Sequence, residues 1–232
     1  MSLLVRSWNV FHGNAVPPRR KGFLHEMLEL VSADRPDVLC LQELPAWSLP
    51  LLRSWTGMQS EGAVTRPPFW PAPLSAWLTR LHPGFFRSGL AGQANAILVQ
   101  DDHTCEDLGK QSISGPGVER RICHAARVAG RFVVGNLHAT NDFRRPEVPT
   151  AEVERARRFA ESHAGPDEPV VLAGDFNVLS PSLLGYSAPG PGIDQILVRG
   201  APITPLEVWP VERRTVGGIV LSDHAPVEAR VG

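Results

Sequence analysis

Polar residues that can handle protons, metals and phosphates stand at the ends of very apolar runs in this sequence. Asn9 ends the first run, Glu43 the second, His138 a later one, and Asp175 with Asn177 the next. Asp194 lies inside Gly192-Ile-Asp-Gln-Ile-Leu-Val, and Asp223 with His224 in Leu221-Ser-Asp-His-Ala-Pro-Val. A carboxylate inside or beside a buried strand is costly unless it is paired, hydrogen-bonded or metal-bound. Any one of these motifs alone reads as a capped turn, but several at successive run ends point to one shared edge. If Glu43, Asp175, Asp194 and Asp223 converge, two like charges about 4 Å apart repel by about 4 kcal/mol at an effective dielectric of about 20. Such a cluster needs a cation or an imidazolium. All-oxygen donors favour Mg²⁺, Mn²⁺ or Ca²⁺ over zinc or copper. A hard dication beside carboxylates, a His and Asn side chains suits phosphoester hydrolysis: the metal neutralises phosphoryl and leaving oxygens, and a carboxylate positions a water for in-line attack.

Strands and helices must hold those residues, and the hydrophobic pattern supplies both. Short runs rich in Val, Ile and Leu predict strands at residues 3–5, 37–41, 94–99, 122–128, 131–137, 170–173, 193–198 and 227–231. Ala129-Gly130 between two of them predicts a hairpin. Residues 21–33 place apolar side chains at 23, 24, 27, 28, 30 and 31, which predicts a helix. Residues 150–163 predict another, with Thr150 as cap, Val153, Ala156, Phe159 and Ala160 on one stripe, and Arg155, Arg157 and Arg158 on the solvated face. Short strands with two amphipathic helices imply an α/β or α+β domain in which helices cover sheets.

Bulk properties bound the answer further. The chain has 232 residues and no repeat, charge run or low-complexity linker, which fits one domain over 1–232. With 43% hydrophobic and 20% charged residues it is of globular type, not a disordered chain, a coiled coil or a collagen-like rod. No stretch approaches the roughly 20 apolar residues of a membrane helix, so no integral membrane association is expected. The start MSLLVRSWNVFHGN lacks the basic and apolar regions of a secretory signal. Cys40, Cys105 and Cys123 have no metal-ligand spacing, and the chain reads as cytoplasmic and reduced. A net charge of −1 gives no basic excess for non-specific nucleic-acid affinity, though a local basic groove is compatible with it. No protein partner is identifiable.

Trp8-Asn9, Leu41-Gln42-Glu43, Asn136-Leu-His138, Gly174-Asp-Phe-Asn177, Gly192-Ile-Asp194 and Ser222-Asp-His224 occur in the order found in the endonuclease/exonuclease/phosphatase superfamily. The sequence resembles that superfamily from residue 3 to residue 231. The resemblance implies an α/β fold of two packed mixed β-sheets flanked by helices, a four-layer α/β/β/α sandwich. It implies hydrolysis of a phosphodiester by water with Mg²⁺, for which Mn²⁺ is a plausible substitute. Glu43 then resembles the principal metal ligand, with Asn9 beside it and Asp223 as a further metal-site carboxylate. Asp175 resembles the residue that orients and deprotonates the attacking water, and Asn177 one that binds phosphoryl oxygens. His224 resembles the imidazole that stabilises phosphoryl charge or protonates the leaving group, with Asp194 fixing its tautomer. His138 would be a second phosphate-contacting imidazole, and Asn95 a candidate to support it. His12, His25, His82, His103, His124 and His163 have no motif context and read as surface or packing residues.

The substrate is a phosphate ester. A nuclease acting on nucleic acid is the preferred reading, and a phosphatase or phosphodiesterase acting on a sugar phosphate or phospholipid is the alternative. A catalytically inactive binding module is the remote one. The resembling family places a longer stretch between the counterparts of Asn177 and Asp194. The short Pro/Gly-rich connection over residues 178–193 therefore favours a smaller or more open substrate than a gripped duplex. Arg144 and Arg145 could offer phosphate contacts, but a solvated loop is the preferred reading of that pair. Between residues 45 and 86, Trp47, Trp55, Phe69, Trp70, Trp77, Phe85 and Phe86 accompany many prolines. They could stack bases or rest on lipid, against a simpler role in packing a loop-rich segment.

Overall fold

The computed structural model describes residues 2–81 and 91–232. In chain order its strands are β1 (Leu3–Asn9), β2 (Ala15–Val16), β3 (Val38–Leu44), β4 (Gln59–Arg66), β5 (Gln93–Val99), β6 (Cys105–Ser112) and β7 (Ile122–Val128). They continue with β8 (Phe132–His138), β9 (Val170–Asp175), β10 (Asp194–Arg199), β11 (Glu207–Val208), β12 (Thr215–Val216), β13 (Ile219–Leu221) and β14 (Val227–Val231). Six form a mixed sheet in the order β11-β14-β1-β3-β5-β4, five form a second in the order β10-β9-β8-β7-β6, and β12-β13-β2 make a small third.

Side-chain alternation sorts the two large sheets into layers. Val38 and Cys40 of β3 join Ile97, Val134, Val171 and Ala173 in the space between the sheets. Leu39 and Leu41 turn the other way, into a cluster with Met27, Leu28 and Val31 of the Leu24–Ser32 helix. On the far side, Val133, Leu137 and Leu172 pack against Val153, Ala156 and Ala160 of the Glu147–Ser162 helix. The result is the helix–sheet–sheet–helix sandwich that the resemblance implies.

Every apolar run singled out in the sequence is a strand, and Ala129 and Gly130, both at positive φ, make the tight turn between β7 and β8. Two long strands lacked that signal. β4 and β6 are outer strands of their sheets, and their sequences, QSEGAVTR and CEDLGKQS, are largely polar. An edge strand is half solvated and tolerates such residues. The second helix starts at Glu147, so Thr150 does not cap it: its hydroxyl donates to the Pro146 carbonyl one turn back, at 2.7 Å. The aromatic segment divides. Trp47 and Trp55 pack on the core of the first sheet, whereas Phe69, Trp70 and Trp77 are exposed. Phe85, Phe86 and His82 lie outside the described residues. Among the described residues no helix is long and apolar enough to cross a membrane.

Strand direction is what gathers the polar motifs. β1 runs parallel to β3 and β8 parallel to β9, so Asn9, Glu43, His138 and Asp175 come at the same end of the sandwich. β10 and β14 run antiparallel to β9 and β1, and they bring Asp194 and the 222–224 turn to that end at their starts.

Candidate active site

The backbone at this end is bent in ways that aim side chains. Of the eight non-glycine residues with positive φ among those described, five lie here: Phe11, His12, Glu43, Asn177 and Ser222. Each costs of order 1–3 kcal/mol, and such strain collects at functional sites. Glu43, at φ 54°, sits where the β3–β5 register shifts between Leu41 and Leu44, a bulge that re-aims its carboxylate. Gly174, at φ 142°, lies against β8: a Cβ there would meet the Leu137 carbonyl oxygen at 1.9 Å. Only glycine permits that approach, which sets Asp175 beside His138 in the register. The 222–224 turn is pinned by the Ser222 hydroxyl, which donates to the Asn9 carbonyl at 2.7 Å, and by the Trp8 indole N–H, which donates to the His224 carbonyl at 2.9 Å.

Asp175, Asp194 and His224 form one half of the site. Each presents a donor atom within 4.8 Å of the others. His224 Nδ1 is 2.8 Å from Asp194 Oδ2, and its Nε2 is 3.7 Å from Asp175 Oδ2. Burial opposes the imidazolium, but the Asp194 hydrogen bond and the charges of Asp194, Asp175 and Asp223 raise the His224 pKa to about 9. Burial and the charge of Asp194 push Asp175 up, to about 7, although Asn9 Nδ2 and the Asn177 amide both donate to it at 3.1 Å. One imidazolium thus serves two carboxylates. Its ring is committed to Asp194, an arrangement that suits proton transfer, and the donor atoms of the three residues also lie close enough together to hold a metal ion.

The other half centres on Glu43. His12 Nε2 and His138 Nε2 lie 3.4 and 3.7 Å from its two carboxylate oxygens, beyond good hydrogen-bond reach. His138 is buried, and burial together with the charge of Arg121 holds it well below the ordinary histidine range, so it is neutral. Its ring nitrogens face Arg121 Nη1 at 3.0 and 3.2 Å, Gln93 Nε2 at 3.3 Å and Asp175 Oδ2 at 3.5 Å. The donor set fits a hard divalent cation. Glu43 is partly exposed, and the Asp194 Oδ1 and Asn177 Oδ1 atoms are buried without a hydrogen-bond partner. Oxygen donors of this kind suit Mg²⁺, Mn²⁺ or Ca²⁺.

The structure brings Asn9, Glu43, His138, Asp175, Asn177, Asp194 and His224 to one end. Asp223 is also there but exposed, with its Oδ1 3.5 Å from the Ser222 hydroxyl. Asn177 is buried, and its Nδ2 donates to the Ala139 carbonyl at 2.9 Å. Asn95 does not support His138. It lies two residues deeper in β5 than Gln93, which makes that contact instead, and its own Nδ2 is without a partner. His12, read as a packing or surface residue, is buried against Glu43. Gln93 and Arg121, at the starts of antiparallel strands, were not singled out either. Their only sequence signal is position: each stands at or just before an apolar run that begins at the site's end. Arg144 and Arg145 are on an exposed loop, with the Arg145 guanidinium on Asp142 at 2.8 Å.

Comparison with known proteins shows the family and the fold. Among curated protein sequences none matches significantly. Solved structures do. TDP2 from Caenorhabditis elegans is 15% identical, with a TM-score of 0.66, over 100% of this chain and 74% of that one. An endonuclease/exonuclease/phosphatase family protein from Bacteroides thetaiotaomicron is 18% identical, with a TM-score of 0.69, over 100% and 95%. A mannosyl-6-phosphatase from the same organism is 18% identical, with a TM-score of 0.67, over 99% of each chain. At these identities the likeness is one of fold. The sequence model of the endonuclease/exonuclease/phosphatase family matches residues 7–224, a span that includes Asn9 at one end and His224 at the other. The chain belongs to the endonuclease/exonuclease/phosphatase family, whose members are hydrolases of phosphoester bonds.

Proposed function

We propose that this protein hydrolyses a phosphodiester by direct in-line attack of water, with Mg²⁺ as the cofactor and nucleic acid as the preferred substrate. The observation that carries the reading is the Asp175–Asp194–His224 group, in which one carboxylate is raised to about 7 and an imidazole to about 9. A base is most effective with its pKa near the working pH, and Asp175 takes the proton of the attacking water. His224, oriented and kept protonated by Asp194, donates to the leaving oxygen or offsets its charge. Asn177 orients a phosphoryl oxygen with the N–H not spent on Ala139. Neutral His138 donates a hydrogen bond there without adding charge. Glu43 and Asn9, with Asp223 at the rim, would hold the metal, which would supply charge neutralisation at the phosphoryl oxygens.

A sugar phosphate is the second reading, favoured by the 178–193 connection, which contains neither strand nor helix to grip a duplex. The mannosyl-6-phosphatase of similar fold has a substrate of that class. The deciding experiment is hydrolysis by the purified protein with Mg²⁺, Mn²⁺ or EDTA. The substrates are plasmid DNA, single-stranded DNA, RNA, bis-p-nitrophenyl phosphate and mannose 6-phosphate. Metal-dependent cleavage of nucleic acid, lost in Asp175→Asn, is the expected result. Cleavage of the sugar phosphate alone would transfer the assignment to the second reading.

A further inference from the structure

Beside Glu43 a cavity of about 240 Å³ opens, lined among others by Phe11, His12, Gln93, Glu119 and Arg121. Arg121 is the residue that gives it character. Its side chain is only 9% exposed, yet among the described residues its one carboxylate partner within salt-bridge distance is Glu119, at 3.0 Å and half exposed. Arg121 Nη1 is spent on His138, and its Nε is buried without a partner. The other oxygen of Glu119 lies 4.0 Å from Arg66 Nη1, so the carboxylate sits between two guanidiniums. The loop is pre-set for this. The Ser114 hydroxyl donates to the Glu119 carbonyl and accepts from the Arg121 amide, both at 2.6 Å.

An arginine is charged at any working pH, and its planar fork matches phosphate bidentately. A half-solvated carboxylate holds such a partner weakly, and a doubly charged phosphate competes for the same place. We infer that the substrate carries a second, non-reacting phosphate, which docks on Arg121 and Arg66 where the Glu119 carboxylate now lies; this rests on the phosphoester-hydrolase reading above. Because Glu43 lines the same cavity, the two phosphates are separated by one small unit such as a sugar.

The test compares thymidine 5′-(p-nitrophenyl phosphate) with and without a 3′-phosphate, in Mg²⁺. The parent protein has the lower KM for the ester carrying the second phosphate. Glu119→Gln lowers that KM by a further two- to five-fold or so, the scale of one exposed ion pair, and leaves the KM of the ester lacking it unchanged. Arg66→Gln raises the first KM alone. Equal KM for both esters in the parent protein, or equal shifts in the variants, overturns the inference. Pyrophosphate titration by calorimetry in metal-free buffer separates it from the hydrolase reading, since it needs no turnover. Binding that tightens in Glu119→Gln and weakens in Arg121→Gln supports the subsite even if neither ester is cleaved. If Arg121→Gln fails to fold, Arg121→Lys, which keeps charge but loses the fork, is expected to weaken it less. Unchanged pyrophosphate affinity in Glu119→Gln counts against the subsite whatever the esters do.

Discussion

Two charge clusters are rooted on the same strand, β1, three residues apart, and they are built on opposite principles. Around Arg6, which has no exposed surface, the charged groups are all paired with one another. Its guanidinium donates to Asp34 at 2.6 and 2.8 Å, to Glu228 at 2.6 Å and to the Val31 carbonyl at 2.6 Å. Arg213 adds 3.0 Å bonds to both carboxylates, and the two guanidiniums lie 4.6 and 3.6 Å from the centre of the Trp209 ring. Two cations meet two anions. The Arg6 hydrogen bond holds the Asp34 carboxyl low, and Glu228 is held low despite the opposing cost of burial. At Asn9 the balance fails. Asp175 and Asp194 share one imidazolium, Asp175 is raised rather than lowered, and buried oxygens of Asp194 and Asn177 lack partners. The charges of the first cluster balance, and those of the second leave a deficit of the kind that the proposed metal, water and phosphate would fill.

Four experiments test that contrast. The largest effect is expected from Asp175→Asn. Phosphoester turnover falls by about 10²–10⁴-fold, the usual worth of a general base. The melting temperature holds or rises, because a buried, repelled charge is removed; a marked fall in melting temperature would make Asp175 a structural residue instead. Next comes Arg6→Ala, which leaves Asp34 and Glu228 without their buried partner and costs about 3–5 kcal/mol in urea unfolding. Its folded fraction keeps full turnover per molecule, and a selective loss of kcat would join the two clusters. Third, Glu43→Gln weakens Mg²⁺ binding by more than about ten-fold, since even outer partners of a metal site are worth that much. Calorimetry reads this directly, and unchanged affinity would move the metal to other oxygens.

The smallest effect is a pH dependence of stability in metal-free protein. The His224 pKa is raised on folding, so its contribution is fully present below about 6.5, the unfolded value, and is lost as pH rises through about 9. The Asp175 pKa is also raised, so the folded state favours its protonated form, and ionisation through about 7 works in the same direction. The melting temperature should therefore decline between pH 6.5 and 9, and decline less in His224→Ala. An identical decline in both proteins would detach this imidazole from the carboxylates.

Much of this was legible before any coordinates. The inner strands announce themselves because both faces are buried and nearly every residue is apolar, as in β5 and β8. β4 and β6 do not, because one side of each is open and their residues alternate toward solvent. The polar residues that end apolar runs are equally visible, which is why Asn9, Glu43, His138, Asp175, Asn177, Asp194, Asp223 and His224 could be named from type and order. Residues without such a setting were not. His12 reaches Glu43 only because residues 11–13 all turn to positive φ. Arg121 and Gln93 reach His138 only because their strands begin, rather than end, at that edge.

By itself, then, the sequence determined the layers and the list of reactive groups, since burial and periodicity are local properties of a chain. Tertiary structure alone decided which groups touch and what charge each carries. A pKa depends on the distance to other charges and on lost solvent, and both arise from segments far apart in sequence: Asp194 and His224 are thirty residues apart, and Asn9 and Asp175 one hundred and sixty-six.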